Sequence, residues 1–113
     1  WFTQPKTYLD GYLPEAAAEK VLNQATEQVS VLVQRAEADG SGVGAQGTLA
    51  IGLQVSAAGL VTSAKFMTQT VVDWDGSEPK ALLRGILGVY RDLQFPKAKG
   101  QTWLTVPLIL SLD

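Results

Sequence analysis

The closing stretch, "TWLTVPLILSLD", limits the fold more than any other part of the chain. From Thr102 to Leu112 every second residue is aliphatic, so Leu104, Val106, Leu108, Leu110 and Leu112 share one side of an extended chain. That period of two predicts a strand with one buried face. Pro107 sits in its middle and has no N–H for a ladder, and sheets hold such a residue on edge strands or at bulges. The run is therefore expected to form a sheet edge.

The rest of the chain supplies what such a strand needs. Residues 1–13 mix Gln, Lys, Asp and Gly with Trp1, Phe2, Tyr8 and Tyr12, without a clear period, and read as a tail whose aromatics pack on the domain. The domain itself is expected over 14–113. Pro14 and Glu15 suit a first helical turn. Ala18, Val21, Leu22, Ala25, Val29, Leu32, Val33 and Ala36 then recur every three or four residues, predicting a one-sided amphipathic helix over 14–36. After the glycine-rich "ADGSGVGAQG", the stretch "TLAIGLQV" alternates Leu49, Ile51, Leu53 and Val55 with smaller or polar residues, a strand over 47–55. "SAAG" is a tight turn ending in Gly59, and 60–72 is the second strand.

"DWDGSEPK" is a turn followed by a helix over 78–94, with Ser77 as the expected N-cap. Leu82, Leu83, Ile86, Leu87, Tyr90 and Leu93 form its apolar face, Gly85 and Gly88 allow close packing on the sheet, and Phe95-Pro96 ends it. The order α-β-β-α-β predicts an α+β domain: a three-stranded antiparallel sheet with both helices on one face. A right-handed crossover would return the last strand beside the first, in the order 2-1-3. Leu22, Val29, Leu53, Phe66, Ile86, Leu87, Tyr90 and Val106 are the expected core.

Composition narrows the function. The chain's 113 residues suffice for one core, and 46% hydrophobic against 18% charged residues fits a folded domain. A net charge of -2 without a basic run gives no electrostatic reason to expect nucleic acid or an anionic membrane as partner. With neither cysteine nor histidine, thiolate or imidazole metal sites, cysteine nucleophiles and histidine triads are excluded. No apolar run reaches the length of a membrane span and no signal peptide is present. A start at Trp1 rather than Met predicts a piece of a longer protein, with any anchor upstream.

Four patterns have functional readings that weaken on inspection. Gly42, Gly44 and Gly47 match the spacing of a dinucleotide fingerprint, but a helix precedes them and a strand follows, the reverse of what phosphate binding requires. They read as a connector. Asp73, Asp75 and Glu78 suggest calcium yet lack the length and ligand spacing of an EF-hand loop, so a turn with a helix cap is expected. Asp73, Asp75 and Asp92 stand near element ends with nothing that converges them on a pocket, so no catalytic residue, metal or cofactor is assigned. Trp74 and Trp103 read as packing or amphipathic surface residues rather than ligand-stacking ones.

"GTLAIGLQVSAAGLV", "ALLRGILGVYRDLQFP" and "LTVPLIL", in that order, resemble the C-terminal domain of the TonB/TolA group, nearest to the AgmX/PglI type. Val61, Phe95, Pro96 and Pro107 fall where that family's signature residues lie, and the leading helix at 14–36 matches as well. The resemblance implies a non-enzymatic periplasmic domain of an inner-membrane-anchored protein. Such a domain couples an inner-membrane motor to a periplasmic or outer-membrane protein partner, in transport or gliding motility. It also implies strand addition of a partner peptide along the last strand, at Gln101, Thr102, Trp103, Leu104, Thr105, Val106, Pro107, Leu108 and Ile109. Trp103, Thr105 and Ile109 would supply selectivity. The alternatives are a homo-oligomerisation domain of an envelope-spanning complex, in which a second copy covers this edge, and a small enzyme or ligand-binding domain. The N-terminal segment is a further candidate to cover the edge.

Overall fold

The computed structural model describes residues 2–3 and 6–111, and of Phe2 and Thr3 only the backbone; the expected roles of the Trp1 and Leu112 side chains, and of Phe2's, lie outside the described residues. The elements are β1 (Phe2–Thr3), β2 (Tyr8–Gly11), α1 (Glu15–Asp39), β3 (Gly47–Val55), β4 (Val61–Gln69), α2 (Lys80–Arg91) and β5 (Thr102–Leu110). Among the described residues no helix is long and apolar enough to cross a membrane.

In α1 the stripe buries Ala18, Leu22, Ala25, Val29 and Ala36. The helix continues one turn beyond Ala36 and stops where Gly40 takes the left-handed conformation, φ 85°. Pro14 is its cap rather than part of its first turn. The α2 helix is shorter than 78–94 at both ends. Ser77 does not cap it, because its N–H donates to the carboxylates of Asp73 and Asp75 at 3.0 Å each, which holds it in the preceding turn. Pro79 takes the cap position. Gly85 lies against Leu32 of α1 rather than against the sheet, so the small residue serves helix–helix packing.

The β3–β4 turn is fixed by Gly59. Its φ is 90°, and a Cβ there would stand 1.9 Å from the Phe95 carbonyl oxygen. The Phe95 N–H donates to the Gly59 carbonyl at 2.8 Å. Phe-Pro therefore ends α2 by docking the chain on the hairpin turn, and only glycine leaves room for it.

The sheet is antiparallel throughout. From one side to the other it runs from β1 and β2, through β5 and β3, to β4. The three main strands keep the expected order, second-first-third. The expectation of three strands is corrected: a fourth position exists, occupied at its two ends by the two short strands of the N-terminal segment. The local period could not reveal it, because the pairing Tyr8↔Thr105 spans almost the whole chain.

Leu49, Ile51, Leu53 and Val55 of β3 and Leu104, Val106, Leu108 and Leu110 of β5 are buried in one cluster with the apolar faces of both helices. Of the expected core, Leu22, Val29, Leu53, Ile86, Tyr90 and Val106 are buried, whereas Phe66 and Leu87 are only half-buried. For Phe66 the reason is position, since among the described residues no strand lies outside β4. Among the described residues the Tyr90 hydroxyl finds no hydrogen-bond partner, and burial pushes its pKa up.

Candidate interaction surface

The β5 residues divide by parity. Thr102, Leu104, Val106 and Leu108 point beneath the helices and are buried, so no partner reaches their side chains. Thr105 and Pro107 are half-buried, while Trp103 (53% exposed) and Ile109 (42%) stand out on the opposite side. Gln101 is exposed in the loop before the strand.

The main chain of β5 is engaged on both sides. Inside, all nine residues pair with β3, from Gly47↔Leu110 to Val55↔Thr102. Outside, β2 pairs from Tyr8↔Thr105 to Gly11↔Thr102, and β1 pairs at Phe2↔Leu110 and Thr3↔Ile109. The expectation of an open edge over Gln101, Thr102, Trp103, Leu104, Thr105, Val106, Pro107, Leu108 and Ile109 is therefore corrected at Thr102, Trp103, Leu104, Thr105 and Ile109, where the chain's own strands pair. The outer ladder skips Val106, Pro107 and Leu108. Pro107, the one residue of the strand without an N–H, sits in the middle of that gap. Proline thus marks where one covering strand stops and the next begins.

Three contacts fasten β2. Gly11 (φ 145°) lies so close to Thr102 that a Cβ would stand 2.5 Å from its Cα and from the Gln101 carbonyl. The Leu13 N–H donates to Thr102 Oγ1 at 2.9 Å in a buried bond, which satisfies the buried threonine's hydroxyl. The Tyr12 ring lies on Gly100, where a Cβ would come within 2.7 Å. "YLDG" offered too short a run for its period to show.

On the side away from the helices, the register brings together Tyr8 and Asp10 of β2, Trp103, Thr105, Pro107 and Ile109 of β5, Ala50, Gly52 and Gln54 of β3, and Ser63, Lys65 and Thr68 of β4. Tyr8 is 69% exposed. Trp103 pairs with Asp10 and is diagonal to Tyr8, within reach of its ring. Met67 (60% exposed) lies across Gly52, whose absent Cβ would stand 3.0 Å from Met67 Cγ. The surface is aromatic at one rim, nearly flat over Ala50 and Gly52, and bears Met67 at the other.

The remaining candidates lie elsewhere. Gly42 is packed against Ala36 and Leu82, Gly44 donates its N–H to Glu37, and Gly47 starts β3 against Thr70, so the three form a structural connector. Asp73 and Asp75 sit in an exposed turn. Asp73 Oδ1 accepts the N–H groups of Asp75 and Ser77, and the hydrogen bond with Asp73, foremost, holds the Asp75 carboxyl below its usual range. Among the described residues no three acidic side chains are grouped to hold a metal ion. Asp92 is an exposed cap of α2, and Trp74 is exposed in the turn before that helix. A cleft of about 420 Å³ beside β2 is lined by Lys6, Thr7, Tyr8, Leu9 and Glu15, with the exposed pair Lys6–Glu15 at 3.7 Å.

No family model, curated protein or solved structure matches the chain.

Proposed function

We propose that this domain is a non-catalytic protein-interaction module that engages its partner through the helix-free face of its sheet. The observation that carries the reading is the set of exposed apolar side chains, Tyr8, Trp103, Met67 and Ile109, on one sheet face around the flat centre at Ala50 and Gly52. Large apolar groups gathered on one face mark an interaction site more often than the same residues scattered singly. Trp and Tyr also dominate the energetics of protein interfaces. Trp103, Thr105 and Ile109 keep the selectivity role expected of them, exercised by side chains rather than through an edge ladder.

The setting in the cell follows from the resemblance to the TonB/TolA group. On that reading the domain is periplasmic, belongs to an inner-membrane-anchored protein, and passes force from a motor to a protein partner across the envelope. The order of turn glycine, Phe95-Pro96 and Pro107 supports it.

A photo-crosslinking side chain placed at Trp103, and separately at the exposed helix position Glu19, tests the interaction reading in cells that make the protein. Adducts from position 103 and none from 19 are expected. Adducts from 19 alone would overturn the assignment of the face.

A further inference from the structure

We infer that the partner covering the helix-free face is a second copy of this chain, packed face to face about a twofold axis parallel to the strands. The inference rests on the interaction reading above and names its occupant.

The charges make the case. In β2, β3, β4 and β5 together only two residues are charged, Asp10 and Lys65. Both project on the helix-free side: Asp10 is paired with Trp103, and Lys65 is paired with Gly52. One stands in the outer covering strand and the other in the opposite edge strand, so an acid and a base mark the two rims of one face. Both are exposed, and neither has an ion-pair partner among the described residues. A sheet face turned to water normally carries polar side chains along its strands. The central strands turn Thr48, Ala50, Gly52 and Gln54 of β3 and Trp103, Thr105, Pro107 and Ile109 of β5 to this side, and five of these eight are apolar or lack a side chain.

A twofold axis along the strands turns the Asp10 rim of one copy over the Lys65 rim of the other. Tyr8, Thr105, Gly52 and Lys65 form one row across the sheet, so this row meets itself reversed. Lys65 then lies over Tyr8, and Gly52 lies over Thr105. Asp10 and Trp103 occupy the next row, about 7 Å along the strands, within the span of a lysine side chain. The ammonium group gains a carboxylate and two aromatic faces, an arrangement that favours a cation. The symmetry supplies each contact twice.

The area is at the lower limit. Three nine-residue strands and the four residues of β2, with strands about 4.8 Å apart and about 3.3 Å per residue, give a face of roughly 500 Å². Two such faces remove roughly 1,000 Å², the lower bound for a specific interface. Small side chains at Ala50 and Gly52 let the sheets approach to the usual spacing of about 10 Å. The apolar centre supplies the affinity and the rim charges set the orientation.

Sedimentation velocity on the folded chain, from micromolar to near-millimolar concentration, tests the proposal. The parent should pass from monomer to dimer. Asp10→Lys and Lys65→Asp should each weaken association about tenfold or more, because each opposes like charges at both rims. A 1:1 mixture of the two variants should restore it, since each then offers the charge the other lacks. Thr105→Glu, which places an unpaired charge at the centre, should abolish it. A parent that stays monomeric throughout, or a mixture no stronger than either variant alone, would overturn self-pairing. The interaction reading is judged separately by the mass of the adduct at position 103. Twice the chain mass supports self-pairing, a different mass overturns self-pairing alone, and no adduct at all overturns both.

Discussion

Along β5 the outer backbone groups are met by the chain's own β1 and β2, whereas along β4 no described strand lies outside Val61–Gln69. Exposed strand edges are templates for unwanted pairing, and the two sides of this sheet solve the problem differently. β5 is regular in register, apolar and long, and it is covered except at Val106, Pro107 and Leu108. β4 is left open and made a poor template. It carries two irregularities: Met67 falls between the pairs Ala50↔Thr68 and Ile51↔Phe66, and Thr62 between Gln54↔Ser63 and Val55↔Val61. Such bulges bend a strand and break its ladder, and Lys65 places a charge between them. The difference teaches that strand addition has no continuous template on either side, since β5 lacks outer pairing only around Pro107, which leaves the helix-free face as the broader surface on offer.

The largest contrast should be in core truncations. Leu104→Ala on β5 should cost about 2–5 kcal/mol, because the site lies between two neighbouring strands and the helices. Phe66→Ala on β4 removes more atoms from a half-buried site and should cost less than the roughly 3–5 kcal/mol typical of a buried phenylalanine. Denaturant melts of the two variants give the ranking, and a costlier Phe66→Ala would reverse the roles assigned to the strands.

Next comes the fastening of β2. Gly11→Val forces a side chain into the Thr102 backbone at a φ that valine resists, with an expected loss of about 2 kcal/mol. Amide protection at the outer side of β5 should fall in this variant while β4 is unchanged. Thr102→Val removes the acceptor of the buried Leu13 N–H and should cost about 1–2 kcal/mol by thermal melting. Stability unaltered by both substitutions would mean that the covering strand is not held as described.

Tyr90 gives a pH signature. Its hydroxyl is buried without a partner and its pKa is raised by burial, so the folded state keeps it neutral. Its contribution is intact below the unfolded value of about 10 and is lost as pH rises above it. Tyr90→Phe should be near neutral or slightly stabilising at pH 7, and should flatten the loss of stability above pH 10 in alkaline melts. The smallest effect is expected at Lys65→Leu, within about 0.5 kcal/mol at low protein concentration. Its consequence should appear instead as aggregation on heating, because a gatekeeping charge has gone from the open edge.

The features legible in the sequence were those with a local period. The alternation from Leu49 to Val55 and from Leu104 to Leu110, and the three-to-four spacing in both helices, sufficed for the α+β class and the order of the three main strands. Pro107 pointed to a sheet edge, and that reading is corrected: β1 and β2 lie outside β5, and proline marks only the gap between them. What stayed hidden depends on partners distant in sequence. Tyr8 to Gly11 is too short for a period to show, and its role is set by Thr102 to Thr105. Met67 and Thr62 become bulges only once β3 is alongside. Leu87 has the spacing of a core residue, but its side of α2 is only half covered. The surface assembled from Tyr8, Asp10, Gly52, Lys65 and Trp103 comes from four strands, and no local pattern joins them.

Hydrogen exchange on the dilute, monomeric chain, resolved by residue, tests the closure of β5 most directly. Amides of residues 102–105 and 109–110 should be protected whether they face β3 or the covering strands, while outward-facing amides of residues 61–69 exchange quickly. If the outward amides of β5 exchanged as fast as those of β4, the edge would be open, and it rather than the helix-free face would be the surface offered to a partner.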